Sequence, residues 1–184
     1  MRLFVSVDLP ETLAEPIADL QSEFRGASGL DFTDPQQAHI TMKFLGETDP
    51  SRVDTVVDAL DRAVATADVP PFEATFEGLG VFPTLDYINV LWLGVTDGSD
   101  AFCRLQAPIE DALVERGFEP EDHDFTPHVT LARMNHAGGK ELVQERVRET
   151  NPTVGTMTVD SVALTESTLA EDGPVYETLH EVSL

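Results

Sequence analysis

HITMKFL at 39–45 and HVTLARM at 128–134 carry one pattern twice, 89 residues apart, and reading them together decides the fold. Each opens with polar and apolar residues in alternation, the mark of a half-buried β-strand. Residues i and i+2 of a strand point to the same side, about 6.5–7 Å apart along the chain. His39 and Thr41 therefore share a face, as do His128 and Thr130. Ile40, Met42 and Phe44, and in the second copy Val129 and Leu131, supply the opposite, apolar face that packs on a helix.

Working outward, further strands are expected at Leu3–Val7, Phe72–Val81, Tyr87–Val95, Thr156–Leu164 and Val175–Val182. Helical spacing covers roughly 11–25, 51–66, 99–116 and 139–149, with Val53, Val56, Val57, Leu60 and Val64 forming the clearest apolar stripe. Pro16 and Pro108 fall inside two of these segments, so each kinks or begins later than its pattern. Asn135–Gly139 and Thr168–Gly173 read as surface loops. The order strand, helix, His-x-Thr strand, helix, strand occurs twice, and the offset of the motifs also lays Leu3–Val7 onto the DYINVLWLG stretch. The expected fold is α+β, with two pseudo-symmetric lobes of mainly antiparallel sheet flanked by helices about a central cleft. No linker rich in Gly, Ser or Pro divides the halves, so residues 1–184 read as a single bilobed domain with an internal duplication.

Asp and Glu number 34 against 11 Lys and Arg, a formal charge of −23 spread along the whole chain. Such a coat repels polyanions at low ionic strength, whereas at molar salt the Debye length falls to about 3 Å. A halophile's cytoplasm is the expected reason for the balance, the other reading being an acidic protein that binds basic partners. Hydrophobic residues at 41% exclude a disordered chain, and no apolar run approaches the length of a membrane span. Met1 is followed at once by a strand pattern, without the basic region and apolar run of a secretory signal, and the expectation is a soluble, cytoplasmic monomer. Cys103 is alone, which excludes an internal disulfide, and its place beside Phe102 suggests a buried structural thiol.

The chemistry sits in the two motif strands. If a two-fold axis relates the lobes, two imidazoles face each other across a site flanked by two hydroxyls. In-line displacement at phosphorus needs a base and an acid on opposite sides of the phosphorus. A histidine pair supplies both, since an unperturbed pKa of about 6.5 keeps both protonation states accessible near neutral pH. One His-x-Thr strand occurs by chance in many proteins; two in matched contexts point to function.

With RLFVSVDLP at 2–10, HITMKFLGET at 39–48, GLGVFP at 78–83, FTPHVTLAR at 125–133 and LTESTL at 164–169 followed by Gly173 and Tyr176, the chain resembles the two-histidine phosphoesterases along almost its whole length. Within them it is similar to the RNA 2',3'-cyclic phosphodiesterases, also called 2'-5' RNA ligases. The resemblance implies metal-free hydrolysis of a 2',3'-cyclic phosphate end of RNA to a 2'-phosphate, no cofactor, and an ability to join tRNA halves through a 2'-5' bond. It makes His39 the acid on the leaving oxygen and His128 the base on water. Thr41 and Thr130 would hold the phosphate oxygens, and Arg133 would neutralise them.

Arg133 has the wrong parity for that role in a regular strand, so it reaches the phosphate only if the strand bulges or ends before it. Lys43 is in phase with His39 and Thr41 and is either a cleft contact or an exposed charge. Phe125 and Phe82 each offer either stacking on a base or core packing, and Trp92 reads as core. His123, between Asp122 and Asp124, has no second ligand cluster and reads as an exposed loop residue, with no metal expected. His136 and His180 read as surface residues without partners. Two other readings stay open: an RNA-end or tRNA-processing module that binds without turnover, and a phosphodiesterase acting on ADP-ribose cyclic phosphate or 2'-5' oligonucleotides.

Overall fold

The computed structural model describes residues 1–184. Nine strands and four α-helices follow in the order β1 (Arg2–Asp8), α1 (Ala14–Ser22), β2 (Leu30–Phe32), β3 (His39–Glu47), α2 (Val53–Ala67), β4 (Phe72–Pro83), β5 (Ile88–Val95), α3 (Ser99–Val114), β6 (His128–Met134), α4 (Lys140–Glu149), β7 (Thr153–Val159), β8 (Ser161–Ala170) and β9 (Gly173–Ser183). The α+β fold and its mainly antiparallel character are as expected from the sequence.

All strands join one sheet in the order β7-β4-β5-β6-β3-β1-β8-β9, with β2 paired to β6, and every pairing is antiparallel. The lobes are thus two halves of a continuous curled sheet. They meet where β3 lies against β6, and the join is narrow, with Ile40 opposite Val129 the register pair. The spatial halves are not the sequence halves. After α2 the chain crosses to lay β4 beside β5, and after α4 it returns to lay β8 beside β1. The helices cross too: α1 packs on β6 and β7, whereas α3 packs on α2 and β3. Each lobe therefore borrows elements from the other half of the chain, which holds both in one core of 35 buried apolar residues.

The apolar alternation builds that core. Leu3, Val5 and Val7 of β1, Ile40 and Met42 of β3, Leu91 and Leu93 of β5, and Val129 and Leu131 of β6 are all buried beneath the helices. The other face of the sheet carries the histidines. In α1, Pro16 falls in the first turn, where no intrahelical N–H is lost. Pro108 lies inside α3, which continues past it.

Several expectations need correction. The apolar run 156–164 is two strands, β7 and β8, parted at Asp160, and β2 had too few residues to show a period. Thr168–Gly173 is not a loop: β8 and β9 form a hairpin that turns at Glu171 and Asp172, with register pairing up to Ala170 opposite Gly173. Ser6 lies opposite Thr41 and Trp92 opposite Thr130, so β1 and β5 correspond three residues away from the offset of the motifs. Cys103 is exposed, because α3 buries Phe102, Leu105 and Gln106 and turns the neighbouring position outward. Partial burial and then Asp100 push its thiol pKa up, the opposite of an activated nucleophile. His180 does have a partner: its Nε2 lies 2.8 Å from an Asp61 carboxylate oxygen on α2. No helix is long and apolar enough to cross a membrane.

Candidate active site

The Ile40–Val129 pairing sets His39 next to Thr130 and Thr41 next to His128 on the solvent side of the sheet. Diagonal neighbours in such a pair are roughly 7–8 Å apart, a separation that leaves room for one phosphoryl group between the imidazoles. Both rings are held alike. His39 Nδ1 bonds the Gln37 carbonyl oxygen at 2.9 Å, and His128 Nδ1 bonds the Thr126 carbonyl oxygen at 2.7 Å. A carbonyl only accepts, so Nδ1 carries the proton in each ring and Nε2 is left without a protein partner.

Aromatic rings wall both histidines. On one side the centroids of Phe4 and Tyr176 lie 5.1 Å from His39, Tyr176 edge-on. On the other, Phe82 stands edge-on to His128 at 4.9 Å and Trp92 lies at 5.9 Å. Trp92 is consequently a cleft residue rather than core, and its ring crosses Gly80, where a Cβ would come within 2.1 Å of it. Burial among these rings lowers the pKa of both histidines. At His39 the Gln37 bond and the nearby Asp8 carboxylate oppose that shift. At His128 the Thr126 bond opposes it, whereas His39, Arg133 and His123 add to it. The local charges thus favour a proton on His39 over His128.

Both motif strands carry a β-bulge immediately after the threonine. The register of β3 against β1 slips between Lys43 and Thr41, and that of β6 against β5 slips between Ala132 and Thr130. Alternation then restarts out of phase. In β6 the slip turns Arg133 onto the His128 face, where its charge acts on both His128 and Tyr176 from the opposite lobe. In β3 it drives Lys43 the other way. Lys43 is buried, with its Nζ 2.7 Å from Glu110 Oε2 of α3 and donating to the Glu119 carbonyl at 2.9 Å. The cleft contact expected for Lys43 is therefore overturned. The same phase change places Phe44 on the cleft side, 56% exposed.

A bulge frees backbone carbonyls that need new partners. Gln21 of α1 donates to the Leu131 carbonyl at 3.0 Å and Thr33 Oγ1 to the Thr130 carbonyl at 2.8 Å, while Gln106 of α3 donates to the Met42 carbonyl at 3.4 Å. Gln21 and Gln106 are both buried, and each reaches across from the half of the chain that does not own the bulge. A glutamine on an otherwise apolar helix stripe was the one sequence signal for this support. Phe125 packs against the hydrophobic core. His123 is exposed, with Nδ1 2.9 Å from Asp122 Oδ1 and Glu121 nearby, and His136 sits in the Asn135–Gly139 loop.

Two His-x-Thr strands side by side on a curled antiparallel sheet, backed by helices, define the two-histidine phosphoesterase class. A profile of the 2'-5' RNA ligase superfamily matches residues 9–170, and the chain belongs to that family. A Methanothermobacter thermautotrophicus protein named RNA 2',3'-cyclic phosphodiesterase is 33% identical over 178 residues, covering 96% of this chain and 95% of its own. A Methanocaldococcus jannaschii protein of the same name is 30% identical over 182 residues, covering 98% and 99%. The solved structure of a Thermus thermophilus protein superposes with a TM-score of 0.82 at 29% identity, covering 100% of this chain and 98% of that one. E. coli LigT shares the fold, with a TM-score of 0.80 at 23% identity and coverage of 100% and 97%.

Proposed function

We propose that this protein is an RNA 2',3'-cyclic phosphodiesterase that opens the cyclic phosphate by acid–base catalysis between His39 and His128. The enzymatic class rests on the relatives of that name, which match nearly the whole chain. The observation that supports the mechanism is the matched pair of Nδ1–carbonyl bonds, which leaves Nε2 free on two histidines of neighbouring strands paired at Ile40–Val129. His128 Nε2 takes a proton from water as its oxygen attacks phosphorus. The bond from phosphorus to the ribose 3'-oxygen breaks, and His39 Nε2 protonates that oxygen, leaving a 2'-phosphate. The local charges support this division, with Asp8 beside the acid and Arg133 beside the base. Thr41, Thr130 and Arg133 stabilise the charge gathering on the non-bridging oxygens.

With acid, base and charge stabilisation all on side chains, the mechanism needs no metal or cofactor. Replacing water by the 5'-hydroxyl of a second RNA, as with tRNA halves, would form a 2'-5' bond through the same cleavage. One domain with an internal duplication accounts for the paired bulges and paired glutamines.

The test is turnover of nucleoside 2',3'-cyclic phosphates at high salt, with product identification. His39→Ala and His128→Ala should each lower kcat by roughly 10²–10⁴ with little change in KM. The double variant should lose less than the product of the two effects. Near-normal kcat in either single variant, or a 3'-phosphate product, would overturn the assignment, as would loss of turnover under a strong chelator with recovery on added zinc or magnesium.

A further inference from the structure

β9 is an edge strand, so one side of its backbone has no ladder partner. Near its tip the free groups are the Pro174 carbonyl and the Tyr176 N–H, and one side chain from far back in the chain takes both. Gln37 Nε2 donates to the Pro174 carbonyl at 3.0 Å, and the Tyr176 N–H donates to Gln37 Oε1 at 3.1 Å. A primary amide offers a donor and an acceptor side by side, which is what a neighbouring strand would supply. No other hydrogen bond or ion pair joins Gly173–Tyr176 to anything outside β8 and β9. Gln37 is itself held at the end of a single tight turn, capped where Asp34 accepts from the Gln36 N–H at 2.9 Å. Its main chain serves His39, the carbonyl accepting from Nδ1 at 2.9 Å. Tyr176 in turn lays its ring edge-on against His39, centroids 5.1 Å apart. One residue thus holds the imidazole at Nδ1 and, through β9, the aromatic ring that covers it. Across the cleft Thr126 holds His128 Nδ1 in the same way, but its side chain makes no hydrogen bond.

We propose that Gln37 is a positioning residue for His39, clamping the tip of β9 so that Tyr176 stays against the imidazole that the same residue's carbonyl holds. Its effect on rate rests on the phosphodiesterase reading, in which His39 protonates the leaving oxygen. An imidazole that delivers a proton from Nε2 keeps its Nδ1–H throughout, so a fixed carbonyl holds the ring in both protonation states. The Tyr176 edge then restrains the ring's tilt and keeps water off it. Burial is the largest cause of the lowered His39 pKa, opposed by the Gln37 bond and by Asp8 of β1. Freeing β9 removes part of that burial and leaves Asp8 in place.

Gln37→Leu tests the clamp, since it keeps the carbonyl and removes both amide bonds. On adenosine 2',3'-cyclic phosphate kcat should fall about 10- to 100-fold, the size expected of a misplaced catalytic group, with KM within about twofold. Nitrogen-15 NMR titration of the histidine rings reads the same contact without turnover. The His39 pKa should rise toward the ordinary value of about 6.5 as Tyr176 lifts away, whereas that of His128 should not rise. Tyr176→Ala should produce both changes, and adding it to Gln37→Leu should cost little more, because the two act through one contact. Gln37→Glu, which still accepts from the Tyr176 N–H but cannot donate to Pro174, should fall between the wild type and Gln37→Leu. An unchanged kcat in Gln37→Leu and Tyr176→Ala, a rise in KM alone, or histidine pKa values that rise together or not at all would overturn the clamp and leave the phosphodiesterase intact. If the wild type failed to hydrolyse the cyclic phosphate, the phosphodiesterase reading would fall, and the clamp would stand or fall on the His39 titration.

Discussion

Lys43→Met should cost this protein a large part of its stability, although Lys43 belongs to a motif strand and a lysine is ordinarily a surface residue. Its side chain has no exposed area, and that of Glu110 has 18%. The 2.7 Å approach to Glu110 Oε2 lies outside hydrogen-bond angles, so the contact is coulombic and Oε2 has no other partner. Removing the ammonium strands a mostly buried carboxylate, whose remaining donor to Oε1 is the Glu121 amide at 2.9 Å, and leaves the Glu119 carbonyl without its lysine. Breaking a buried ion pair from one side costs about 3–5 kcal/mol. At about 2–4 °C per kcal/mol for a chain of this size, the thermal midpoint should fall by roughly 6–20 °C. Because a matched apolar pair avoids the stranded charge, Lys43→Met combined with Glu110→Leu should recover most of the loss. Urea melts of the wild type, both single variants and the double, at one high salt concentration, complete the cycle. A Lys43→Met loss below about 1 kcal/mol, or additive single effects, would refute the buried-pair reasoning.

His39 and His128 both have folded pKa values below their unfolded value of about 6.5, so the unfolded chain binds more protons as pH falls through that value. Their contribution to stability is fully present above about pH 6.5 and declines below it, so in high salt the wild type should lose more stability from pH 7 to 5.5 than a His39→Gln, His128→Gln variant; an equal or smaller loss would contradict the burial. For the same reason the bell-shaped pH profile of kcat/KM should peak on the acid side of about 6.5, and a maximum above pH 7.5 would argue against these residues as the pair. Gly80→Ala should displace Trp92 and, through Phe82, loosen His128, lowering kcat several-fold with the far-ultraviolet circular dichroism unchanged. With a formal charge of −23, the thermal midpoint should rise between dilute buffer and about 2–3 M KCl, and a flat or falling midpoint would count against the charge-repulsion argument.

The local pattern of the chain determined most of the secondary structure and the identity of the paired histidines. Period-two alternation in HITM and HVTL puts His and Thr on one face whatever the rest of the chain does, and the apolar stripe of Val56, Leu60 and Val64 dictates which side of α2 is buried. What lies beyond Thr41 and Thr130 was decided only by tertiary structure. A bulge is a property of two strands in register, invisible in either strand alone, and buried Gln21 and Gln106 from distant helices donate to carbonyls at the two bulges. The same sequence spacing therefore sent Lys43 into the core, and Arg133 and Phe44 into the cleft. Trp92 and the exchange of β4 and β8 between lobes were hidden for a like reason. Apolar composition marks a residue as packed, but which face it packs on is fixed by neighbours brought from elsewhere in the chain.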